Sequence, residues 1–320
     1  MIKVGFIGCG KIFYKHCLAL EKVEGVKIVA MSDCNFNKAK VATSLHGGVA
    51  YSSYAEMLKQ EKIDVVHVCT PTKTHYEISS YCLEHGISVI VESPLEFDAV
   101  KSLKIMQKAQ ENDVNIYVVN PYEHIESHIK LMRTMEEGIL GEILGGRLIL
   151  SWKKDSQQMP GVMSHSMFQI LDYVNQCIEL EIKDVNFMAD RRFGEVYDVL
   201  DGIIRYKNDS VLAVWANSYA SMDYPMQLEI ECEKGLIKLV GNELEINRHD
   251  HMICRENYSL QDYINQDIGI SNPLHLAYIH ALEDFYHNYE SYEFSDKHLI
   301  KTQMLVANIQ SSLNHGDYYE

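Results

Sequence analysis

No stretch of this 320-residue chain approaches the ~18–20 consecutive apolar residues of a membrane-spanning helix, so none is expected. Clusters of lysine and arginine are also missing. With 29 basic against 45 acidic residues and a formal net charge of −16, the chain lacks the footprint of a nucleic-acid or anionic-membrane binder. Its eight cysteines (Cys9, Cys17, Cys34, Cys69, Cys82, Cys177, Cys232, Cys254) never fall at CxxC spacing, and several sit in apolar runs such as VHVCTP. They read as reduced, buried thiols of a cytoplasmic protein, and no zinc or other metal is expected. GxSxG, Walker and HExxH patterns do not occur, which removes the hydrolase elbow, the P-loop and the zincin helix. There is no internal repeat and no low-complexity linker. The opening MIKVGFIGCG runs its apolar stretch straight into a glycine turn, unlike a signal peptide.

What is present is the composition of a soluble globular protein, 47% apolar and 23% charged, in a length that suits two domains. Over the first 120 residues, strand-like and helix-like segments alternate. KVGFIG (3–8), VKIVAMSD (26–33), IDVVHVCTP (63–71), ISVIVESP (87–94) and VNIYVVN (114–120) read as strands. KIFYKHCLALEKVEG (11–25), NKAKVATSLHG (37–47), HYEISSYCLEHG (75–86) and AVKSLKIMQKAQEND (99–113) read as helices. Strands apolar on both faces predict a parallel sheet covered on both sides, a doubly wound α/β domain over 1–120.

After Asn120 the texture changes. A helix at 124–137 leads into a strand, EILGGRLILSWK, and a helical stretch at 165–178. Period-two runs follow, with KND and EKG as hairpin turns, and helices at 274–289 and 297–313 finish the chain. This predicts an α+β domain over 121–320 with a large, mainly antiparallel open sheet. Its open face makes self-association, as a homodimer or homotetramer, the expected state.

The stretch GFIGCGKIF carries GxGxx, with Phe13 where a third glycine often stands. Gly8 suits the tight turn, and Gly10 lets a pyrophosphate approach a helix N-terminus, where free N–H groups favour anions. Asp33, at the end of the second strand, lies at the spacing of a ribose-diol acceptor. Its carboxylate repels a 2′-phosphate and no arginine follows, so NAD is favoured over NADP. The other reading of Asp33 is a turn residue that caps the following helix.

GFIGCGKIFYKH, MSDCN, VVHVCTPTKTHYEISSYCLEHG, VIVESPL, EEGILGEIL and IECEKGLIKL together resemble the glucose–fructose oxidoreductase / inositol dehydrogenase / rhizopine catabolism (Gfo/Idh/MocA) family along essentially the whole chain. The resemblance implies a Rossmann domain, a C-terminal α/β domain, and hydride transfer between NAD(P) and a sugar, nucleotide sugar or cyclitol. It places Gly8, Gly10, Lys11 and Ile12 at the pyrophosphate and Asp33 at the adenosine ribose. Thr70, Pro71, Thr72 (usually asparagine in the family) and His75 would lie beside the cofactor, with Glu92 and Pro94 near the nicotinamide.

Two proton-handling positions of the family are altered. Ser93 stands where the Glu-Lys-Pro lysine is expected, and Gln169 where a histidine is expected in GVMSHSMFQILD. Around Glu123 the family's arginine is also absent. Ser93 is expected to touch cofactor or substrate without moving a proton. His165, Gln169 and Asp172 share a helical face, so the imidazole is a candidate base with Asp172 to orient it. Tyr122 and Lys153 are further catalytic candidates, with Lys154 and His124 behind them, and Asn120 joins the substrate contacts. A biliverdin-reductase-like branch of the family also lacks the lysine. Two alternatives to a sugar oxidoreductase therefore stay open: a silent NAD- or sugar-sensing regulator, and a reductase of an imine or enone.

Overall fold

The computed structural model describes residues 1–153, 162, 165–192, 197–222, 224–249, 251–258, 273–291 and 297–316. The first elements are β1 (Ile2–Ile7), α1 (Lys11–Leu20), β2 (Val26–Ser32), α2 (Phe36–His46), β3 (Val49–Tyr51), α3 (Tyr54–Gln60), β4 (Val65–Val68), α4 (His75–Glu84), β5 (Ser88–Glu92), α5 (Ala99–Glu111) and β6 (Ile116–Val119). There follow α6 (Glu126–Glu136), β7 (Ile143–Lys153), α7 (His165–Cys177), β8 (Ile182–Asp190), β9 (Val199–Tyr206), β10 (Val211–Ala220), β11 (Tyr224–Cys232), β12 (Gly235–Val240), β13 (Glu243–Arg248), β14 (His251–Asn257), α8 (Pro273–His287) and α9 (Lys297–Gly316).

Two compact units result. The first joins residues 1–124 to 263–300, and the second joins 125–262 to 301–320. In the first unit six strands form a sheet in the order β3-β2-β1-β4-β5-β6. Every pairing is parallel. All residues of β4 and β5 are buried, as expected for central strands with helices on both faces. The order reverses direction between β1 and β4, the switch point where open α/β sheets bind ligands outside their carboxyl ends.

Local chemistry sets the helix ends. Asn35 accepts the Asn37 N–H to start α2, and Gly47 in a left-handed conformation (φ +80°) stops it. Ser53 and Asp98 cap α3 and α5 in the same way. The start of α1 differs: Gly10 offers no side chain, and the first turn holds no acid. The helix ends at Leu20, short of the 11–25 reading, and Glu21–Gly25 turn into β2. The short edge strand β3 and helix α3 have no counterpart among the sequence expectations.

The second unit holds an eight-stranded sheet, β14-β13-β12-β11-β7-β10-β9-β8. Its pairs are antiparallel except β7 with β10, which run parallel. In the centre of the sheet burial alternates, with Leu148, Leu150, Leu212, Val214, Leu228 and Ile230 on the covered face. Strand β14, largely exposed at the sheet edge, also escapes sequence reading, because HMICREN lacks a buried apolar face.

This arrangement departs from the expected division at 120/121: residues 121–124 and 263–300 fall in the first unit. Helix α8, read as the end of the second domain, belongs to the first unit. Tyr278, Ile279, Leu282, Phe285 and Tyr286 join the same buried cluster as Phe6, Phe13 and Cys17. Periodicity shows that a helix has a face to bury; it does not say against which sheet.

Candidate active site

Gly8 sits at the carboxyl end of β1 with φ +93°, and a Cβ there would lie 2.7 Å from the Cys69 carbonyl oxygen, so only glycine fits. A Cβ on Gly10 would meet no protein atom within 4 Å. In front of this residue there is space, and behind it the first N–H groups of α1 lack a side-chain cap. Lys11 is exposed and Ile12 half-buried in that first turn. This is the geometry of an anion cradle, and it fits the pyrophosphate of a dinucleotide.

Asp33 is half-buried beside it. The Cys9 N–H donates to Asp33 Oδ2 at 2.8 Å and the Asn35 N–H donates to Oδ1 at 2.8 Å. The carboxylate therefore pins the glycine turn to the end of β2. Oδ1 also faces the Cys34 thiol at 3.8 Å, while Oδ2 retains a second acceptor site for a ribose hydroxyl. Asp33 does not cap α2; Asn35 does. Burial, then the Asp33 charge, pushes the Cys9 thiol up to about 12, which keeps it protonated and inert.

The loop after β4 places Thr70 and Thr72 half-buried and Pro71 exposed. His75 is buried, with Nε2 2.8 Å from the Thr70 carbonyl and Nδ1 3.0 Å from the Pro94 carbonyl. The ring thus braces the loops that follow β4 and β5. Ser93 lies in the second of these loops with its side chain covered.

Glu92, the last residue of β5, is 4% exposed, and both its oxygens are engaged. His16 Nε2 is 2.6 Å from Oε1, and the Tyr278 hydroxyl donates to Oε2 at 3.1 Å. His16 Nδ1 lies 2.8 Å from His67 Nδ1, and His67 Nε2 lies 2.6 Å from the Tyr286 hydroxyl. For two neutral imidazoles one assignment of hydrogens is self-consistent: Tyr286 donates to His67, His67 to His16, and His16 to Glu92. Burial, reinforced by His16, holds His67 well below the ordinary imidazole value, and burial holds the Tyr286 phenol well above its own. Sequence reasoning missed His16, His67, Tyr278 and Tyr286. The signal available was a histidine in VVHV, a strand otherwise apolar on both faces.

Asn120 is buried, and its side-chain oxygen accepts the Tyr122 N–H at 3.3 Å. Burial raises the Tyr122 phenol, so it can donate a hydrogen bond but is a poor base. His124 Nε2 stands 3.5 Å from the Tyr117 hydroxyl and is lowered by burial, which Asp284 opposes and His280 reinforces. Gln169, Asp172 and Lys153 belong to the second unit. Lys153 is exposed at the end of β7. On α7, Gln169 and Asp172 are both buried, but Asp172 Oδ1 accepts the Thr302 hydroxyl at 2.8 Å. Asp172 therefore ties α7 to α9. The side chain of His165, and Lys154 entirely, lie outside the described residues.

Among known proteins, residues 2–120 match the model of the GFO_IDH_MocA oxidoreductase family, described as an NAD-binding Rossmann fold. A glycosyl hydrolase family 109 protein of Shewanella sp. strain MR-4 is 24% identical over 159 residues, which is 46% of this chain and only 34%, about a third, of that protein. The myo-inositol 2-dehydrogenase of Thermotoga maritima is 21% identical over 251 residues, 74% of each chain. In fold, a solved oxidoreductase of Agrobacterium radiobacter, in complex with NAD+, L-tartaric acid and magnesium, superposes with a TM-score of 0.87 at 17% identity, covering 98% of this chain and 97% of its own. With the glycine cradle and the acid after β2 inside the matched stretch, residues 2–120 are similar to the NAD-binding Rossmann domain of the Gfo/Idh/MocA oxidoreductase family.

Proposed function

We propose that this protein is an NAD-dependent dehydrogenase that moves hydride between the cofactor and a secondary alcohol of a sugar, nucleotide sugar or cyclitol. The observation that carries this reading is the cradle itself: left-handed Gly8, the open space at Gly10, the uncapped start of α1 and Asp33 fixed beside them. Gly8, Gly10, Lys11 and Ile12 hold the pyrophosphate. Asp33 accepts the ribose hydroxyls, which favours NAD over NADP by charge. Thr70, Pro71, Thr72 and the loop braced by His75 border the nicotinamide half, with Glu92 and Ser93 at the end of β5. When bound, NAD supplies the hydride acceptor or donor. Asn120, Tyr122, Gln169, Asp172, His165 and Lys153 are proposed for the substrate side, with Tyr122 as a hydrogen-bond donor. The inositol dehydrogenase relative supports a polyol substrate.

A second copy of the chain is proposed for the open face of the second unit's sheet, giving a homodimer or homotetramer. There Trp215 and Tyr224 stand exposed along a groove of about 450 Å³ with Ile149 and Gln227. Titration calorimetry with NAD+ and NADH tests the cofactor assignment. Nicotinamide absorbance against myo-inositol, aldoses, nucleotide sugars and α-N-acetylgalactosaminides tests the substrate class. No heat with either nucleotide defeats the reading. Tight NAD+ binding without turnover on any polyol supports the regulatory alternative, for which the replacement of two proton carriers by Ser93 and Gln169 is the motive.

A further inference from the structure

A neutral imidazole carries one N–H and one bare nitrogen, so it donates a single hydrogen bond. His75, the first residue of α4 and 1% exposed, faces an acceptor from each nitrogen. Nε2 lies 2.8 Å from the Thr70 carbonyl and Nδ1 lies 3.0 Å from the Pro94 carbonyl. A carbonyl oxygen only accepts. Whichever tautomer a neutral ring adopts, its bare nitrogen would meet an oxygen lone pair at hydrogen-bond distance inside the protein. The form that satisfies both contacts is the imidazolium, with an N–H on each nitrogen. The buried His16 and His67 differ: they face each other, a carboxylate and a phenol, and neutral rings complete that line.

A buried charge is costly unless hydrogen bonds or opposite charges meet it. Here each N–H has its acceptor. Two buried carboxylates, Glu92 and Glu96, also stand two residues before and two residues after Pro94. Helix α4 packs on β4, β5 and α5. The ionisable groups these elements bring, besides the two carboxylates, are Cys69 after β4, Lys73 before α4, Glu77 on α4 and Lys101 on α5. Glu77 accepts the Tyr54 hydroxyl, Glu92 is met by His16 and Tyr278, and Lys101 stands 4.0 Å from Glu96. Burial, then the Glu92 charge, holds the Cys69 thiol well above its ordinary value and so protonated.

We propose that His75 is a buried imidazolium that locks the loop after β4 to the loop after β5, and that the lock opens when the ring gives up its proton. These loops are the ones assigned above to the nicotinamide half of the cofactor, so the inference deepens that reading and rests on it. His75 is a positioning residue: it acts through the Thr70 and Pro94 carbonyls and so on Thr70, Thr72 and Ser93. Loss of the proton leaves one nitrogen facing a carbonyl with no hydrogen between them, and one of the two ties is gone. Hydrogen bonds to the charged form favour that form. The lock is therefore complete on the acid side and is lost as pH rises, opposite in sign to His67, which burial keeps neutral. A dinucleotide that needs both loops in place binds the protonated protein better. Its affinity then falls once the ring titrates, and its binding takes up a proton.

The test uses the full chain, labelled with nitrogen-15, with the His75 ring signals assigned through its own backbone resonances. Proton–nitrogen correlation at pH 7 is expected to show both ring nitrogens protonated. One protonated and one bare nitrogen overturns the proposal. Calorimetry then follows NAD+ binding from pH 6 to pH 9. Affinity is expected to fall by about tenfold per pH unit over the range in which the ring loses its proton. Up to about one proton should be taken up per NAD+ bound, read from two buffers of different ionisation heat. His75→Gln keeps hydrogen-bond donors and cannot titrate; it should bind NAD+ about tenfold more weakly at pH 7, with a flat profile. A flat profile in the parent, or a slope that survives in His75→Gln, overturns the lock. Should that variant not fold, the ring nitrogens and the proton uptake of the parent decide the matter alone. Absence of NAD+ binding at every pH instead defeats the cofactor reading, while the ring nitrogens still tell whether His75 is charged.

Discussion

Each unit of this protein hides a carboxylate, and the two are held by different chemistry. Glu92 in the first unit is met by an imidazole and a phenol, with a second imidazole and a second phenol behind them. Asp172 in the second unit is met by the Thr302 hydroxyl and the Gln176 amide, and Thr302 in turn accepts from Asn175. Neither this hydroxyl nor this amide carries a proton that titrates near neutral pH. Those of Glu92 include an imidazole, whose donor and acceptor roles depend on the tautomer. A buried polar network that only braces can be made of hydroxyls and amides; one built from histidines at the ligand edge of a sheet has proton chemistry available to it.

The two tryptophans, Trp152 and Trp215, both lie in the second unit, so tryptophan fluorescence reports that unit while circular dichroism reports both. The largest effect is expected from His67→Phe, which strands His16 Nδ1 and the Tyr286 hydroxyl in the core. Each buried unpaired group costs about 1–3 kcal/mol, so the first unit should lose roughly 3 kcal/mol or more. Denaturant midpoints should fall by circular dichroism and not by fluorescence. Equal shifts in both signals would erase the contrast.

Acid should next affect both units. His67 is well below the ordinary value of 6.5, and His128, buried beside Tyr173, is lowered to about 3. A folded-state value below the unfolded one means that the unfolded chain binds more protons, so stability is complete above pH 6.5 and falls as pH drops toward the folded value. Between pH 6.5 and pH 5 His128 should cost roughly 1.5–2 kcal/mol, and His67 should act in the same direction. The fluorescence-detected part of that slope should vanish in His128→Phe, provided the ring's packing is kept; persistence would move the acid sensitivity elsewhere.

Thr302→Val should destabilise the second unit by about 1.5–3 kcal/mol, the range for a hydrogen bond to a charged group, and leave its pH dependence above pH 6.5 unaltered. Fluorescence-detected unfolding measures this. A variant as stable as the parent would show that Asp172 needs no hydroxyl. Smallest of all, Asp98→Ala removes the acceptor for the Val100 and Lys101 N–H groups at the start of α5, worth about 1 kcal/mol by circular dichroism. The corresponding start of α1 has no cap to lose, which sharpens its assignment as a place for an external anion.

Most of the first sheet was legible in the residues, because β4 and β5 are apolar throughout and glycine or a capping residue bounds most of the helices. The cradle was legible for the same reason: a left-handed glycine and an acid at the end of β2 are local requirements. The parallel β7–β10 pair was not, since those strands lie far apart in the chain and each carries the same period-two pattern as an antiparallel partner. Nor was α8. Its apolar face could have covered either sheet.

The sequence alone determined the strand–turn–helix cradle and the two kinds of sheet, which depend on neighbours a few residues apart or on a repeating period. Only the tertiary structure decided that Glu92, His16, His67 and Tyr286 form one hydrogen-bonded line. Those residues are brought together from β5, α1, β4 and α8, and no short-range rule of periodicity or spacing relates them.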